Sequence, residues 1–259
     1  MSSAFRNAVL VAALGFAAAT GARELRVCAD PDNLPFSSED GSGFENRIAS
    51  LLAAHLHADL RYFWLPDRRG FLRKTLNAHA CDLVMGLPAE SERALTTPAY
   101  YRGTYVFVYR GERTGRLQSL DDPRLRTLRI GVALVGNDLA ATPPALALAQ
   151  RGIVANVTGF PVFAEQSIGQ RMTDAVREGA IDVAVLWGPQ AGYYARRGAP
   201  ELTVMPIAAN EGVASAFDIA MGVRRDDVSL RDEVTAALSA LKPKIDAVLD
   251  SYAVARIAP

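Results

Sequence analysis

Short apolar runs alternate with amphipathic stretches of helical period along most of this 259-residue chain. One set of such segments occupies residues 25–86, and a second set of the same kind occupies residues 128–207. Buried apolar strands separated by helices favour parallel pairing, because a parallel neighbour is reached only through a crossover connection. The alternation therefore predicts an α/β fold, in which helices cover both faces of each sheet.

Two β-rich runs, residues 105–110 and 217–223, lead out of the first and the second set. We interpret them as two crossover hinge strands that join two lobes built on separate sheets, with a cleft between the lobes. The predicted division assigns residues 23–109 and 214–259 to lobe 1 and residues 110–213 to lobe 2.

Two helices of lobe 1 carry further expectations. Leu72 and Leu76 lie on one face of a helix predicted over residues 69–80. The apolar stripes near the carboxyl terminus predict helical structure that returns to lobe 1 and is kinked or split at Pro243, because proline lacks a backbone donor.

The first 22 residues have the features of a secretory signal peptide. Arg6 gives a basic start, residues 9–19 are apolar, and small residues up to Ala22 form a cleavage site. The apolar run is shorter than the ~20 residues that cross a bilayer, although an uncleaved anchor is the alternative. We expect cleavage near Ala22, export to the periplasm and no membrane association of the mature chain.

The charge balance argues against one class of partner. The 28 basic and 28 acidic residues cancel, whereas proteins that bind nucleic acids usually carry a basic excess. Half of the residues are apolar, which is enough for a packed core. We expect a globular protein with no nucleic-acid partner.

Cys28 and Cys81 are the two cysteines, and each lies in an apolar run that looks like a strand. An oxidising compartment permits a disulfide between them. However, Cys28 is late in its run and Cys81 opens the other, an offset that can exceed the ~7 Å between Cα atoms that a disulfide tolerates. A disulfide and two buried thiols both remain open.

The opening of the mature chain resembles that of two-lobed periplasmic solute-binding proteins of type II. The shared features are the strand at residues 25–30, Leu-Pro-Phe at residues 34–36 and Gly-Phe-Glu at residues 43–45 before a helix. Residues 217–231 are similar to the closing segment of those proteins. The resemblance covers nearly all of the mature chain and implies the two-lobed fold.

A narrower resemblance rests on four segments, which are RVCADPDNLPFS (26–37), PDRRGFL (66–72), TPAYYR (97–102) and DVAVLWGP (182–189). Together they resemble the accessory proteins encoded beside quinoprotein methanol dehydrogenases, the MoxJ/XoxJ type. This resemblance implies a periplasmic protein that serves a dehydrogenase carrying pyrroloquinoline quinone. It does not imply a quinone, a metal or a redox centre in this chain.

The expected cleft lies outside the carboxyl ends of the strands, where open α/β sheets bind ligands. Trp187 stands where similar amino-acid-binding proteins carry the aspartate that receives the ligand ammonium, so we expect altered amino-acid capture. Arg93 is the nearest counterpart of their carboxylate-binding arginine. Asp30 is suited to bind a ligand or partner and equally suited to cap its own turn. Asp67 and Arg68 can contact a ligand or form a solvated charge cluster. The predicted ligand- or partner-binding residues are Asp30, Phe36, Asp67, Arg68, Arg93, Tyr101, Asn137, Thr142 and Trp187.

Motifs of known enzymes and metal sites are missing from the sequence, including Gly-x-Ser-x-Gly and His-Glu-x-x-His. His55 and His57 point to different faces of a helix and His79 stands alone, so we expect no metal site. A carboxylate such as Glu165 or Asp30 remains the route to catalysis, without a partner at a suitable spacing.

We therefore predict a non-enzymatic protein without a cofactor that acts as an accessory or maturation partner of a quinoprotein methanol dehydrogenase. Its cleft would engage a dehydrogenase subunit or a flexible segment of one. The alternative is a solute receptor for a small polar metabolite, which delivers its ligand to an ABC transporter.

Overall fold

The computed structural model places strands and helices in the predicted alternation. The described residues are 23–136, 138–164, 166–208 and 215–257. The predicted signal peptide, Asn137 and Glu165 lie outside these residues.

Strands and α-helices are numbered separately in chain order. The strands are β1 (Glu24–Ala29), β2 (Asp32–Asn33), β3 (Ser37–Ser38), β4 (Asp59–Trp64), β5 (Leu83–Pro88), β6 (Leu95–Thr96), β7 (Tyr101–Tyr109), β8 (Ile130–Val135), β9 (Ala140–Ala141), β10 (Val157–Pro161), β11 (Val183–Trp187), β12 (Thr203–Pro206) and β13 (Ala216–Val223). The α-helices are α1 (Phe44–His55), α2 (Phe71–Lys74), α3 (Gly111–Thr114), α4 (Pro143–Gln150), α5 (Ile168–Glu178), α6 (Gly188–Ala195) and α7 (Val228–Ser251).

Two sets of three parallel strands form the centres of the two lobes. In the first lobe, β1 lies between β4 and β5, and in the second lobe β8 lies between β10 and β11. Parallel strands end at the same edge of a sheet, so the loops after these strands gather at one end of each lobe. The predicted α/β class with two lobes is confirmed.

The long strands β7 and β13 connect the lobes. The first half of β7 pairs antiparallel with β13, from Tyr101 opposite Ile219 to Thr104 opposite Ala216. The second half of β7 pairs with β11 and β12 of the second lobe. The expectation of two separate sheets is therefore wrong, because the crossover strands pair with each other and place the main strands on one hydrogen-bonded path.

Apolar residues cover both faces of the sheet in each lobe. Helices α1 and α7 cover one face of the first lobe, and a small cluster around the two cysteines covers the other. In the second lobe α4 lies on one face, and α5 and α6 lie on the other. The second-lobe helix α6 also reaches the first core, where the rings of Tyr193 and Tyr252 stack with centroids 5.8 Å apart.

The helix predicted over residues 69–80 is replaced by the single turn α2 and a 3-10 turn over Leu76–Ala78. Thr75 separates the two, with φ −115° and ψ −87°, and its hydroxyl donates to the carbonyl oxygen of Phe71 at 2.8 Å. Such side-chain bonds compete with helix propagation. The face of the sheet beneath this segment is covered by a small buried cluster that includes Phe71 and Leu76.

Pro243 neither splits nor ends α7, which is continuous over 24 residues. Pro243 lies on the exposed face, as does Ser239, whose carbonyl oxygen loses its helical donor. Water can satisfy that carbonyl, which reduces the cost of the proline. The opposite face is buried along both halves of the helix, from Val234 to Leu249, and this packing keeps the helix in one piece.

Candidate binding cleft

Two adjoining cavities lie at the carboxyl ends of the strands. The first, which we call the aromatic cavity, has a volume of about 360 Å³ and lies between the lobes. The second, the arginine cavity, has a volume of about 650 Å³ and lies on the first lobe beneath α2. The residues that line both are Asn33, Glu45, Asp67, Met85 and Gly86.

Three rings, one from the second lobe and two from the crossover strands, form one wall of the aromatic cavity. Trp187 ends β11, and its ring lies 5.2 Å from the ring of Tyr105 and 5.9 Å from that of Phe217, centre to centre. The Trp187 ring packs directly on Gly103 of β7, where a Cβ atom would lie 2.7 Å from Cη2 of the indole. Glycine at position 103 therefore leaves room for the indole at the cavity.

Glu45 is a buried acid at the junction of the two cavities. It occupies the second position of α1, and the residue is only 9% exposed. Burial, with a contribution from the charge of Asp67, raises the pKa of Glu45 to about 8. Its Oε1 lies against Gly86, which has φ +67° and where a Cβ atom would come within 2.6 Å of that oxygen.

Asp30 organises the loops around the cavities. Its Oδ1 accepts a hydrogen bond from the backbone N–H of Asp32 at 2.9 Å, and its Oδ2 accepts one from the N–H of Asp67 at 2.6 Å. The carboxylate thus joins the ends of β1 and β4, in addition to capping its own turn.

Asp67 is the second acid with a raised pKa. The residue is exposed to solvent through the cavity that it lines, and protein atoms surround it on the other sides. This enclosure, followed by the nearby charge of Asp30, raises the pKa of Asp67 to about 6. Desolvation is the main cause of both raised pKa values, and the charge of a neighbouring acid adds to each.

Five arginines line the arginine cavity, namely Arg68, Arg69, Arg73, Arg93 and Arg225. Their guanidinium groups form no ion pair with any residue of the described part of the chain. Arg68 lies 4.2 Å from the ring centre of Phe163 in the second lobe, a cation–π contact between the lobes. The cavity therefore presents positive charge that is not neutralised by ion pairing within the described protein.

The structure places seven of the nine predicted residues at these cavities. Asp30, Asp67, Arg68 and Arg93 line the arginine cavity, and Phe36, Tyr101 and Trp187 line the aromatic cavity. Thr142 is buried at the start of α4 and lines neither cavity, and Asn137 lies outside the described residues.

Sequence reasoning missed Glu45, Tyr105, Phe217 and Arg225 as cavity residues. Glu45 belongs to the Gly-Phe-Glu segment at the start of α1, which indicates the fold but not the cavity. Tyr105 and Phe217 lie in the predicted hinge strands, and the pairing of β7 with β13 brings the centres of their rings to 6.4 Å from each other. The crossover strands themselves were the available signal, because residues on them face the space between lobes.

Cys28 and Cys81 are joined by a disulfide with their Cα atoms 5.5 Å apart. The register of the parallel pair sets Cys28 opposite Val84, so Cys81 precedes that position and lies before β5 begins. The bend of the chain before β5 brings the two cysteines together. Cys28 also lines the arginine cavity, so the disulfide supports its floor.

Within the described residues, no group of His, Cys, Asp and Glu side chains has a geometry suited to a metal ion. The helices of the same residues include none that is both long enough and apolar enough to cross a bilayer.

No family model matches the sequence. Comparison with individual proteins does identify the family. Protein MoxJ of Methylorubrum extorquens is 35% identical over 245 residues, which are 90% of this chain and 81% of that protein.

Two solved structures agree in fold. The periplasmic binding protein XoxJ of Methylobacterium extorquens AM1 is 35% identical, with a TM-score of 0.77 over 91% of this chain and 100% of that one. MxaJ of Methylophaga aminisulfidivorans is 25% identical, with a TM-score of 0.76 over 90% of this chain and 100% of the other. The chain therefore belongs to the MoxJ family and has the two-lobed α/β fold of type II periplasmic binding proteins.

Proposed function

We propose that this protein is a non-enzymatic accessory or maturation partner of a methanol dehydrogenase that carries pyrroloquinoline quinone. Its cleft would hold an extended segment of the dehydrogenase. The supporting observation is the cleft itself, in which arginines without ion pairs and a buried acid flank a wall of aromatic rings. Aromatic and arginine side chains contribute most to protein recognition, and an extended peptide adds main-chain hydrogen bonds.

The size and layout of the cavities support a ligand larger than a single amino acid. The arginine cavity alone has a volume of about 650 Å³ and continues into the aromatic cavity through shared walls. Trp187 also occupies the end of β11 and presents an indole to the cavity at the position where similar amino-acid-binding proteins carry an aspartate, so an α-ammonium group would lack its usual acid there. These features favour a segment of protein over a free amino acid.

The periplasm is the compartment in which this function would take place. The amino-terminal sequence predicts export, the XoxJ relative is described as a periplasmic binding protein, and a disulfide is compatible with an oxidising compartment. We retain the division into residues 23–109 with 214–259 and residues 110–213 as the proposed lobes, and we propose that the lobes move about β7 and β13.

The direct test is a calorimetric titration of the purified protein with its cognate dehydrogenase, prepared with and without quinone. We expect saturable binding that is stronger for the immature form, because a maturation partner must distinguish the two forms. Trp187→Ala should weaken that binding, whereas Trp64→Phe on β4 should not. Absence of binding to both forms at native salt would eliminate the proposal.

A transporter receptor is the second candidate, and one observation favours it. Arg68 already contacts Phe163 across the cleft, as lobes do when they close on a small ligand. Native mass spectrometry of the protein as purified distinguishes the two functions. A stoichiometric small polar molecule would support the receptor, and a ligand-free protein that binds the dehydrogenase would support the accessory function.

A further inference from the structure

The aromatic cavity combines acids and rings in a way that suits a positively charged group. Its lining includes Glu45 and Asp67 together with the rings of Tyr105, Trp187 and Phe217. No Lys or Arg side chain is among the described residues that line it. Rings attract cations through their negative faces, and aromatic cages of this kind hold organic ammonium groups.

Glu45 supplies the second and independent observation. The residue is more than nine-tenths buried, and its carboxyl group forms no hydrogen bond or ion pair with the described residues. Buried polar groups nearly always have partners, and an exception calls for an explanation. Because this carboxyl group lines the cavity and has no partner in the described protein, it is placed to pair with a ligand group that donates to it.

We propose that the aromatic cavity binds an organic cation, an alkylammonium or guanidinium group, which pairs with the Glu45 carboxylate beside the Trp187 ring. The inference rests on the proposed function for the source of the cation, which is a lysine or arginine side chain of the dehydrogenase segment. The arginine cavity next to it then receives acidic side chains of the same segment, since its own guanidinium groups form no ion pairs.

Binding of the cation is linked to release of a proton. Before a cation binds, Glu45 is largely protonated at pH 7, because burial and the charge of Asp67 raise its pKa to about 8. The other titratable groups around it are Tyr62 on β4 and Tyr100 and Tyr101 at β7, whose pKa values burial raises above the ordinary value. These tyrosines stay neutral, so the proton released when the cation binds comes from Glu45, with a smaller share from Asp67.

The first experiment follows the fluorescence of Trp187. Trp64 and Trp187 are the two tryptophans of the chain, so Trp64→Phe leaves a single reporter at the cavity. The probes are n-butylammonium and n-butylguanidinium chloride, with n-butanol and sodium butyrate as neutral and anionic controls at constant ionic strength. We expect saturable changes for both cations and at least tenfold weaker responses for the controls.

Glu45→Gln is the decisive variant, because it preserves shape and removes the charge. It should weaken cation binding at least tenfold, while Glu39→Gln, the same change at an exposed site, should leave it unchanged. A thermal melt of each variant checks the fold. Calorimetry at pH 7 in two buffers of different ionisation enthalpy should show proton release for the native residue and little for Glu45→Gln.

A lysine tripeptide blocked at both ends distinguishes the sources of the cation. Tighter binding of the peptide than of n-butylammonium supports a protein side chain as the source, and the reverse order overturns that assignment. Absence of saturable binding by every cation overturns the whole inference, even if the dehydrogenase binds. If the protein binds cations but does not bind the dehydrogenase, the cation site is supported and the proposed function is refuted.

Discussion

The carboxyl group of Glu45 is largely enclosed by protein atoms at the junction of the two cavities, where its charge is solvated less well than in bulk water. Removing a carboxylate from water favours its protonated form, which is why its pKa rises to about 8. The folded protein therefore holds a proton that the unfolded chain, with an ordinary glutamate near pH 4.5, releases. The titration of Glu45 must therefore contribute to the pH dependence of stability.

The contribution of Glu45 to the free energy of unfolding should fall as pH rises. Because the folded pKa of Glu45 is raised, its effect on stability is most favourable below pH 4.5 and is lost as pH rises through 8. Glu45→Gln removes this titration. We compare the unfolding free energy of Glu45→Gln with that of the native protein at each pH. This difference should change in favour of the variant by on the order of 3–5 kcal/mol from pH 5 to pH 9.

Urea denaturation at pH 5, 7 and 9 measures this difference, with Glu39→Gln as the matched control. Parallel stability curves for Glu45→Gln and the native protein would show that Glu45 does not titrate as described.

At the scale of elements, each lobe contains the same arginine–aspartate connection between neighbouring strands. Arg26 of β1 donates from Nε and Nη2 to the two carboxylate oxygens of Asp82, at 2.9 and 2.7 Å. Arg129 binds Asp182 in the same way, at 3.1 and 2.7 Å. Each aspartate immediately precedes the first residue of its strand, so the pairs fix where β5 and β11 begin.

The two connections should differ in strength. Burial alone would raise the pKa of Asp82, but hydrogen bonds from Arg26 and Arg224 outweigh it and the pKa is lowered. Asp82→Asn should therefore cost about 2–4 kcal/mol at pH 7, and Asp182→Asn, whose arginine is more exposed, about 1 kcal/mol.

Chemical denaturation of both variants tests the ranking. The contribution of Asp82 to the free energy of unfolding is present above the pKa of an ordinary aspartate. It is lost as pH falls through the lowered pKa of Asp82 in the folded protein. The difference between Asp82→Asn and the native protein should consequently shrink at low pH. Equal costs for the two variants at pH 7 would contradict the assigned role of Arg224.

The disulfide is a second connection between elements of the first lobe. It closes a sequence separation of 53 residues, and replacing both cysteines by alanine should lower stability by about 4 kcal/mol, chiefly through the entropy of the unfolded chain. Thiol titration of the denatured protein should find no free thiol before reduction. Two reactive thiols in unreduced protein would contradict the bond.

The predictability of these elements from sequence depended on how local their causes are. Apolar alternation located the strands, and the positions of Phe36, Tyr101 and Trp187 near strand ends and crossings pointed to the cleft. The break of the second helix at Thr75 and the continuity of α7 through Pro243 depend on side-chain bonding and packing elsewhere. Glu45 was missed because its burial requires the approach of Gly86 and β7, which no local pattern reveals.

At the scale of the whole molecule, the lobes are connected by more than the two crossover strands. Tyr193 of α6 stacks on Tyr252 at the end of α7, and the backbone of Ile257 donates to the carbonyl oxygen of Arg102 on β7 at 3.1 Å. The chain after α7 thus returns to the hinge. Its contacts make the hinge a packed junction that sets the shape of the cleft.

Gly103 lies at this junction and offers a test. In Gly103→Ala the new methyl group would collide with the indole of Trp187, displacing the ring from the aromatic cavity at a cost of about 1–3 kcal/mol. The same substitution should cost less in Trp187→Phe, because the smaller ring lacks the colliding atoms. Thermal melts of the four proteins measure the coupling, and additive costs would contradict the contact.

We propose that the dehydrogenase binds in the cleft between the lobes. Hydrogen–deuterium exchange of this protein, measured with and without the quinone-free dehydrogenase, tests this proposal. We expect added protection in the loops after β1 and β4, in the first residues of α6 and at the hinge strands. Protection confined to the outer faces of α4 or α7, with the cleft exchanging as before, would contradict it.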